Sequence, residues 1–109
     1  MLAISRFRYG AAELATAEAE LADCLSAFHE CAGFQGGVVG RALDDQGLWV
    51  LQTSWDSVGA YRRALSSYRI KVATATLMMR VLDEPSAYEV LVGDGATKPN
   101  EEKPRGAVP

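Results

Sequence analysis

Apolar side chains on both faces of the predicted strands restrict most strongly how this chain folds. In the segment 48–55, LWVLQTSW, successive side chains point to opposite sides of the strand. One side carries Trp49, Leu51 and Trp55, and the other carries Leu48 and Val50. A sheet with only one buried face would instead alternate apolar and polar residues. The sheet built from such strands therefore needs a cover on each face.

The predicted elements follow the order β-α-β-β-α-β. Strands are expected at 2–9, 34–43, 48–55 and 87–92, and helices at 11–32 and 57–81, the second interrupted near Ser66 and Ser67. This order indicates a ferredoxin-like α+β fold, with a four-stranded antiparallel sheet and helices on one face. Residues 1–92 would form this domain. Residues 93–109, rich in Pro, Gly and charge, would be a polar C-terminal tail.

The open face of this sheet has few candidates to cover it within one chain. The helices lie on the opposite face, and the predicted tail holds few large apolar residues. Large apolar patches usually mark an interface. We therefore expect a homodimer, in which two sheets face each other and close an α+β barrel.

Charge and composition exclude several classes of function. The net charge of −3 leaves no basic field to hold nucleic acid. No apolar run approaches the roughly 20 residues that cross a bilayer, and the N-terminal segment lacks the pattern of a signal peptide, so we expect a cytoplasmic protein without a membrane partner. Cys24 and Cys31 would lie about 10 Å apart along one helix, too far for a disulfide. With one histidine and no CxxC motif, no metal site is expected.

Three local motifs occur in a characteristic order. Ala-Gly-Phe opens the second strand at 32–34, the run Thr53-Ser54-Trp55-Asp56-Ser57 ends the third, and DEPSAYEV at 83–90 leads into the last. In this order and spacing they resemble the antibiotic biosynthesis monooxygenase (ABM) superfamily of dimeric α+β barrels, over residues 2–92. The superfamily includes cofactor-free oxygenases that form quinones, haem-degrading enzymes and members with no known reaction.

The resemblance to the quinone-forming members implies a set of site residues. Those members carry the strand-end Trp, a Tyr six residues later and an Asn four residues before the Trp. Here Trp55 and Tyr61 match, whereas Leu51 stands at the Asn position. By this resemblance, Trp55 and Tyr61 would contact a flat phenolic substrate that reduces O₂ itself, without a cofactor. Trp and Tyr at such positions are also common core residues, so a purely structural role is the alternative for each.

Further residues complete the predicted site, in which Leu51 and Ser5, at positions where the resemblance places family site residues, would contact the substrate. Arg62 could stabilise a phenolate by its charge, with Tyr68 nearby on the same helical stretch. His29 is the candidate base because imidazole titrates near neutrality, although a place near a helix C-terminus favours its charged form.

The haem-degrading branch needs an Asn in the first strand, a second Trp and a His. The matching positions hold Ser5, Ala64 and Thr74, so haem degradation is disfavoured. The leading hypothesis is a cofactor-independent monooxygenase for an aromatic, quinol-like or polyketide substrate. The alternative is a non-catalytic dimeric protein that binds a small aromatic or apolar ligand, and haem binding ranks third.

Overall fold

A computed structural model describes residues 1–94 of the chain. A short helical turn, Ala11–Glu13, precedes the first helix. The elements in chain order are β1 (Leu2–Arg8), α1 (Leu14–His29), β2 (Phe34–Ala42), β3 (Asp45–Trp55), α2 (Val58–Ser66), α3 (Tyr68–Thr74) and β4 (Ala87–Tyr88). This arrangement confirms the predicted α+β class. The predicted tail lies outside the described residues from 95 onward.

The four strands form one antiparallel sheet in the order β2-β3-β1-β4. β1 pairs with β3 without interruption, from Leu2 opposite Ser54 to Arg8 opposite Leu48. The predicted hairpin is present as β2 and β3, with shifts in register near Gly36 and Ala42. β3 already begins at Asp45, so the turn is shorter than the segment 44–47 expected from the sequence.

The two faces of the sheet differ in burial as the alternation predicts. Trp49, Leu51 and Trp55 of β3 are buried beneath the helices, whereas Leu48 and Val50 on the other side are only partly buried. We call that second side the open face. Its apolar residues, identified by the strand register, are Leu2, Ile4, Val38, Leu48, Val50 and Tyr88. The exposed apolar surface that motivated the dimer prediction is therefore present in the single chain.

The last strand is much shorter than predicted. The sequence favours a strand over 87–92, but β4 contains only Ala87 and Tyr88. Tyr88 pairs with Leu2, the first residue of β1. Because the strands are antiparallel, residues after Tyr88 extend past the start of β1 and find no ladder there. Leu91 and Val92 are accordingly exposed, and the prediction for 89–92 is wrong.

Two serines set the boundary between the last two helices. The Ser57 hydroxyl accepts a hydrogen bond from the Ala60 amide at 3.1 Å and caps α2. Ser67 accepts from the Ile70 amide at 3.3 Å and caps α3, while its hydroxyl donates to the Ala64 carbonyl at 2.8 Å. The predicted interruption near Ser67 is confirmed. The helical expectation up to residue 81 is wrong, since α3 ends at Thr74 and turns follow.

The segment 75–86 between α3 and β4 forms no helix and no extended strand, yet it is held firmly against the sheet edge. Its backbone bonds to β1 through the Leu82 amide and the Arg6 carbonyl at 2.8 Å. Arg80 donates to both carboxylate oxygens of Glu13, at 2.8 and 3.0 Å, and its guanidinium lies 4.4 Å from the ring centre of Tyr9. Paired charges and backbone hydrogen bonds thus replace regular structure here.

Candidate functional site

A cavity of about 420 Å³ lies between the helix-covered face of the sheet and the elements above it. This volume is within the range of small-molecule sites. β1 and β3 supply its floor, α1 and α2 two of its walls, and the segment 74–86 the rest. Its lining residues from the sheet are Ala3, Ser5, Phe7, Leu51 and Thr53; those from α1 and α2 are Cys24, Phe28, Tyr61 and Leu65. Thr74, Leu77, Met78, Val81, Leu82, Asp83, Glu84 and Ser86 complete it.

Hydroxyl groups provide most of the hydrogen-bonding capacity inside the cavity. Ser5, Thr53, Tyr61, Thr74 and Ser86 each bring one to the lining. The Thr74 hydroxyl donates to the Ile70 carbonyl at 2.8 Å. The Thr53 hydroxyl oxygen accepts from the indole Nε1 of Trp55 at 2.9 Å, which leaves its own hydrogen available to a ligand. The rest of the lining is apolar apart from the carboxylates of Asp83 and Glu84. Such a cavity suits a flat, largely apolar molecule with oxygen substituents.

Tyr61 is the most acidic of these hydroxyl donors in water, but its surroundings keep it protonated. Burial raises the pKa of Tyr61 above its ordinary value, and the nearby Cys24 thiol adds to that rise, while a hydrogen bond with Ser86 opposes it. The phenol is therefore neutral at physiological pH. In that form it can donate a hydrogen bond to an oxygen on which negative charge develops.

Cys24 contributes an unreactive wall rather than a nucleophile. Its side chain is buried, and burial, followed by the charge of Asp23, raises the pKa of the thiol to about 11, against a small opposing effect of Arg69. The thiol is thus protonated at neutral pH. Cys31 is also a free thiol in the structure.

Trp55 lies one layer behind the cavity. It is 1% exposed and does not line the space. Its ring packs against Phe28 at 5.3 Å, Phe34 at 5.2 Å and Tyr61 at 5.6 Å between ring centres, and its only N–H donor is bonded to Thr53. Trp55 is therefore placed as a core residue. By packing against Phe28 and Tyr61 it positions two side chains that line the cavity.

The other predicted site residues are spread over the molecule. His29 is exposed at the end of α1, with its ring 4.8 Å from that of Phe34, and it lines a separate open groove of about 730 Å³ between α1 and the β2–β3 hairpin. Arg62 lines a recess of about 350 Å³ that shares Tyr61 and Leu65 with the cavity. Tyr68 is 82% exposed and does not line the cavity.

The structure therefore brings Ser5, Leu51 and Tyr61 together but separates them from His29 and Tyr68. Sequence reasoning missed Thr53 and Ser86. The alternation along β3 could have identified Thr53, because it is two residues before Trp55 and therefore lies on the same face of the strand. Ser86 belongs to a segment without regular structure, where no periodicity assigns a direction to the side chain.

Among residues 1–94, no three His, Cys, Asp or Glu side chains come close enough together to hold a metal ion. No helix within this range has the length and apolar character to cross a bilayer.

Comparison with solved structures places the fold among antibiotic biosynthesis monooxygenases. A candidate enzyme of this name from Deinococcus radiodurans is similar with a TM-score of 0.71 and 21% identity, covering 86% of this chain and 93% of that one. A candidate from Chloroflexus aurantiacus gives 0.67 and 21% identity, over 87% and 96% of the two chains. The resemblance inferred from the sequence motifs is thus confirmed at the level of the fold.

A third similar structure has a stated activity. SnoaB from Streptomyces nogalater, a cofactor-independent oxygenase, matches with a TM-score of 0.66 and 24% identity, over 74% of this chain and 82% of its own. No family model matches the sequence. No curated protein matches it either.

Proposed function

We propose that this protein is a cofactor-independent monooxygenase that oxidises an aromatic, quinol-like or polyketide substrate with O₂ in the cavity beside Tyr61. The observation that carries the proposal is the cavity itself, in which a protonated phenol and four further hydroxyls lie among largely apolar walls. The likeness of the fold to SnoaB supports the same class of reaction.

An anthrone illustrates the chemistry. Loss of a proton from its ring methylene to solvent at the cavity mouth gives an enolate whose negative charge gathers on the carbonyl oxygen. This electron-rich anion can reduce O₂ directly, so that the methylene becomes a carbonyl, one oxygen atom enters the product and the other leaves as water. A proton returned from solvent later completes the water that leaves. The Tyr61 hydroxyl would stabilise the anion by donating a hydrogen bond to its oxygen. The apolar walls would orient the ring system and keep bulk water away.

Tyr61→Phe is expected to lower the rate of O₂ consumption by about a hundredfold to a thousandfold, the range found when one donor to a developing anion is removed. Purified protein would be given dithranol, a dihydroxyanthrone, in the presence of a metal chelator, and O₂ uptake would be recorded with an electrode against a protein-free blank. Tyr68→Phe is the matched control, because Tyr68 is 82% exposed, and it should retain the full rate.

Uptake no faster than the blank would reject the oxygenase proposal. If the protein retained dithranol without consuming O₂, the non-catalytic ligand-binding alternative would replace it. Equal rates for the Tyr61 and Tyr68 variants would reject the role of the Tyr61 hydroxyl.

We further propose that a second copy of the chain covers the open face and closes a barrel. The exposed apolar side chains there include Val38, at 56%, and Tyr88, at 45%. A stable dimer typically buries about 800 Å² of each partner. The strand register also places Arg6, Arg8 and Gln52 on this face, so the proposed interface combines apolar and polar side chains.

Light scattering is expected to give a mass of twice the 11.7 kDa of one chain. Val38→Asp should shift the mass toward the monomer, since it places a charge in the proposed interface. Val72→Asp is a matched control: Val72 is 52% exposed but lies on α3, away from the open face. A monomeric mass for the unaltered protein, or the same mass for both variants, would contradict the proposed interface.

A further inference from the structure

The exposure of the cavity-lining residues shows where the cavity opens. Phe7, Leu51 and Leu77 are almost fully buried, at 4%, 7% and 1%. Leu65 and Met78, by contrast, are 39% and 61% exposed. Asp83 is also exposed. The mouth therefore lies between α2 and the segment 78–83, with two apolar side chains and one carboxylate at its rim.

The charged side chains that line the cavity are both negative, while Arg62 lies in the adjoining recess that shares Tyr61 and Leu65 with it. Among the described residues, no Lys, Arg or His lines it, whereas Asp83 and Glu84 do. Glu84 receives two hydrogen bonds from Arg6, at 2.7 and 2.8 Å, and this guanidinium lowers the pKa of the Glu84 carboxyl. The Arg6 charge is thereby committed to Glu84. Over residues 1–94, Asp83 forms no ion pair, so its negative charge at the mouth is uncompensated.

Entry into the cavity would be energetically unfavourable for an anionic ligand, both at the mouth and inside. It would first approach Asp83 and be repelled. Inside, it would lose its hydration shell and find hydroxyl donors but no cation to replace the water. A neutral phenol would lose little on the same path, because its hydroxyl and carbonyl groups can bond to Ser5, Thr53, Tyr61 and Ser86.

The size of the cavity narrows the ligand further. At the packing density of protein interiors, about 0.74, a cavity of about 420 Å³ holds roughly 300 Å³ of ligand. That is enough for a fused tricyclic ring system with small substituents. A single phenol ring would leave most of the space unfilled.

We propose that the cavity selects neutral fused-ring phenols and rejects those that bear a carboxylate, and that Asp83 at the mouth determines this specificity. The inference rests on the proposed function for what becomes of the ligand, but the selectivity itself is a property of binding. For an enzyme of this specificity, any carboxyl group of the substrate's precursor must be removed or masked before oxidation. A decarboxylation or an esterification would therefore come earlier in the reaction sequence.

Two stable anthraquinones provide the test. Chrysophanol and rhein share one dihydroxylated ring system and differ by a methyl group against a carboxylate. Quenching of tryptophan fluorescence at neutral pH and low salt would give both dissociation constants. We expect chrysophanol to bind at least tenfold more tightly than rhein. Asp83→Asn should reduce the ratio of the rhein to the chrysophanol dissociation constant at least threefold, by strengthening rhein binding alone. Asp44→Asn, a change of an exposed aspartate outside the cavity lining, should leave it unchanged.

Equal affinity for the two ligands would overturn the selectivity, and an unchanged ratio in Asp83→Asn would overturn the role of Asp83. Failure to bind either ligand would reject the cavity as a site for fused-ring phenols. These outcomes are distinguishable from failure of the proposed function. Selective binding of chrysophanol without O₂ uptake from dithranol would reject the oxygenase proposal and leave the selectivity standing.

Discussion

Replacing Trp55 with alanine is expected to lower the free energy of unfolding by about 3–5 kcal/mol, the usual cost of removing a large aromatic side chain from a core. Trp55 is 1% exposed and its ring contacts three other aromatic rings. The change would also remove the donor to the Thr53 hydroxyl. Urea denaturation followed by circular dichroism would measure the loss.

Tyr68→Ala is the control for this experiment, because it removes an aromatic side chain that is 82% exposed. Its effect should stay within about 0.5 kcal/mol, as for most surface substitutions. A loss below about 1 kcal/mol for Trp55→Ala would show that the ring is not packed as described. It would also reopen the possibility that Trp55 faces a ligand.

Gly33→Ala should destabilise the protein by about 2–6 kcal/mol, from two independent causes. Gly33 has a φ of +88°, which costs a residue with a side chain roughly 1–3 kcal/mol. A Cβ atom there would also lie 2.5 Å from the Cβ of Ala60 on α2, and relief of such an overlap typically costs 1–3 kcal/mol. Gly33 joins α1 to β2, and its carbonyl accepts from the Asp56 amide at 2.8 Å. Thermal unfolding would report the change.

Gly10→Ala gives the matched comparison. Gly10 has a φ of −73°, and an added Cβ would come no closer than 3.4 Å to the Glu13 side chain. This variant should unfold close to the unaltered protein. If both glycine variants unfolded alike, the contact between the turn at Gly33 and α2 would be looser than the structure describes.

Local patterns in the sequence predicted much of the fold. The period of two in 48–55 correctly grouped Trp49, Leu51 and Trp55 on one face of the sheet, because alternation in a strand depends only on backbone geometry. Which face the helices cover came from the structure. The end of β4 could not be predicted in this way. It is set by where its partner β1 begins, at Leu2, and a run such as 87–92 carries no information about the length of a distant neighbour.

The candidate site was less predictable for a related reason. The resemblance to a family indicated Tyr61, Leu51 and Ser5, and these lie around one cavity. His29 was selected by its chemistry alone, and the structure places it on another surface. Distances across the fold depend on how α1 packs on the sheet, which spacing along the chain does not reveal. Thr53 and Ser86 carry common side chains, and it is the packing of the fold that brings them to the cavity.

The segment 75–86 is anchored to the sheet edge by its backbone and by two ion pairs, yet it forms no helix and no extended strand. Arg80 fastens it to Glu13 and Glu84 fastens it to Arg6, yet the residues around these anchors follow no helical or strand periodicity. Substitutions at Met78, Leu82 or Asp83 can therefore reshape the cavity without disturbing the sheet or the aromatic cluster around Trp55. In evolutionary terms, the scaffold and the ligand preference are separable, and descendants of one ancestral fold can diverge in substrate through this single stretch.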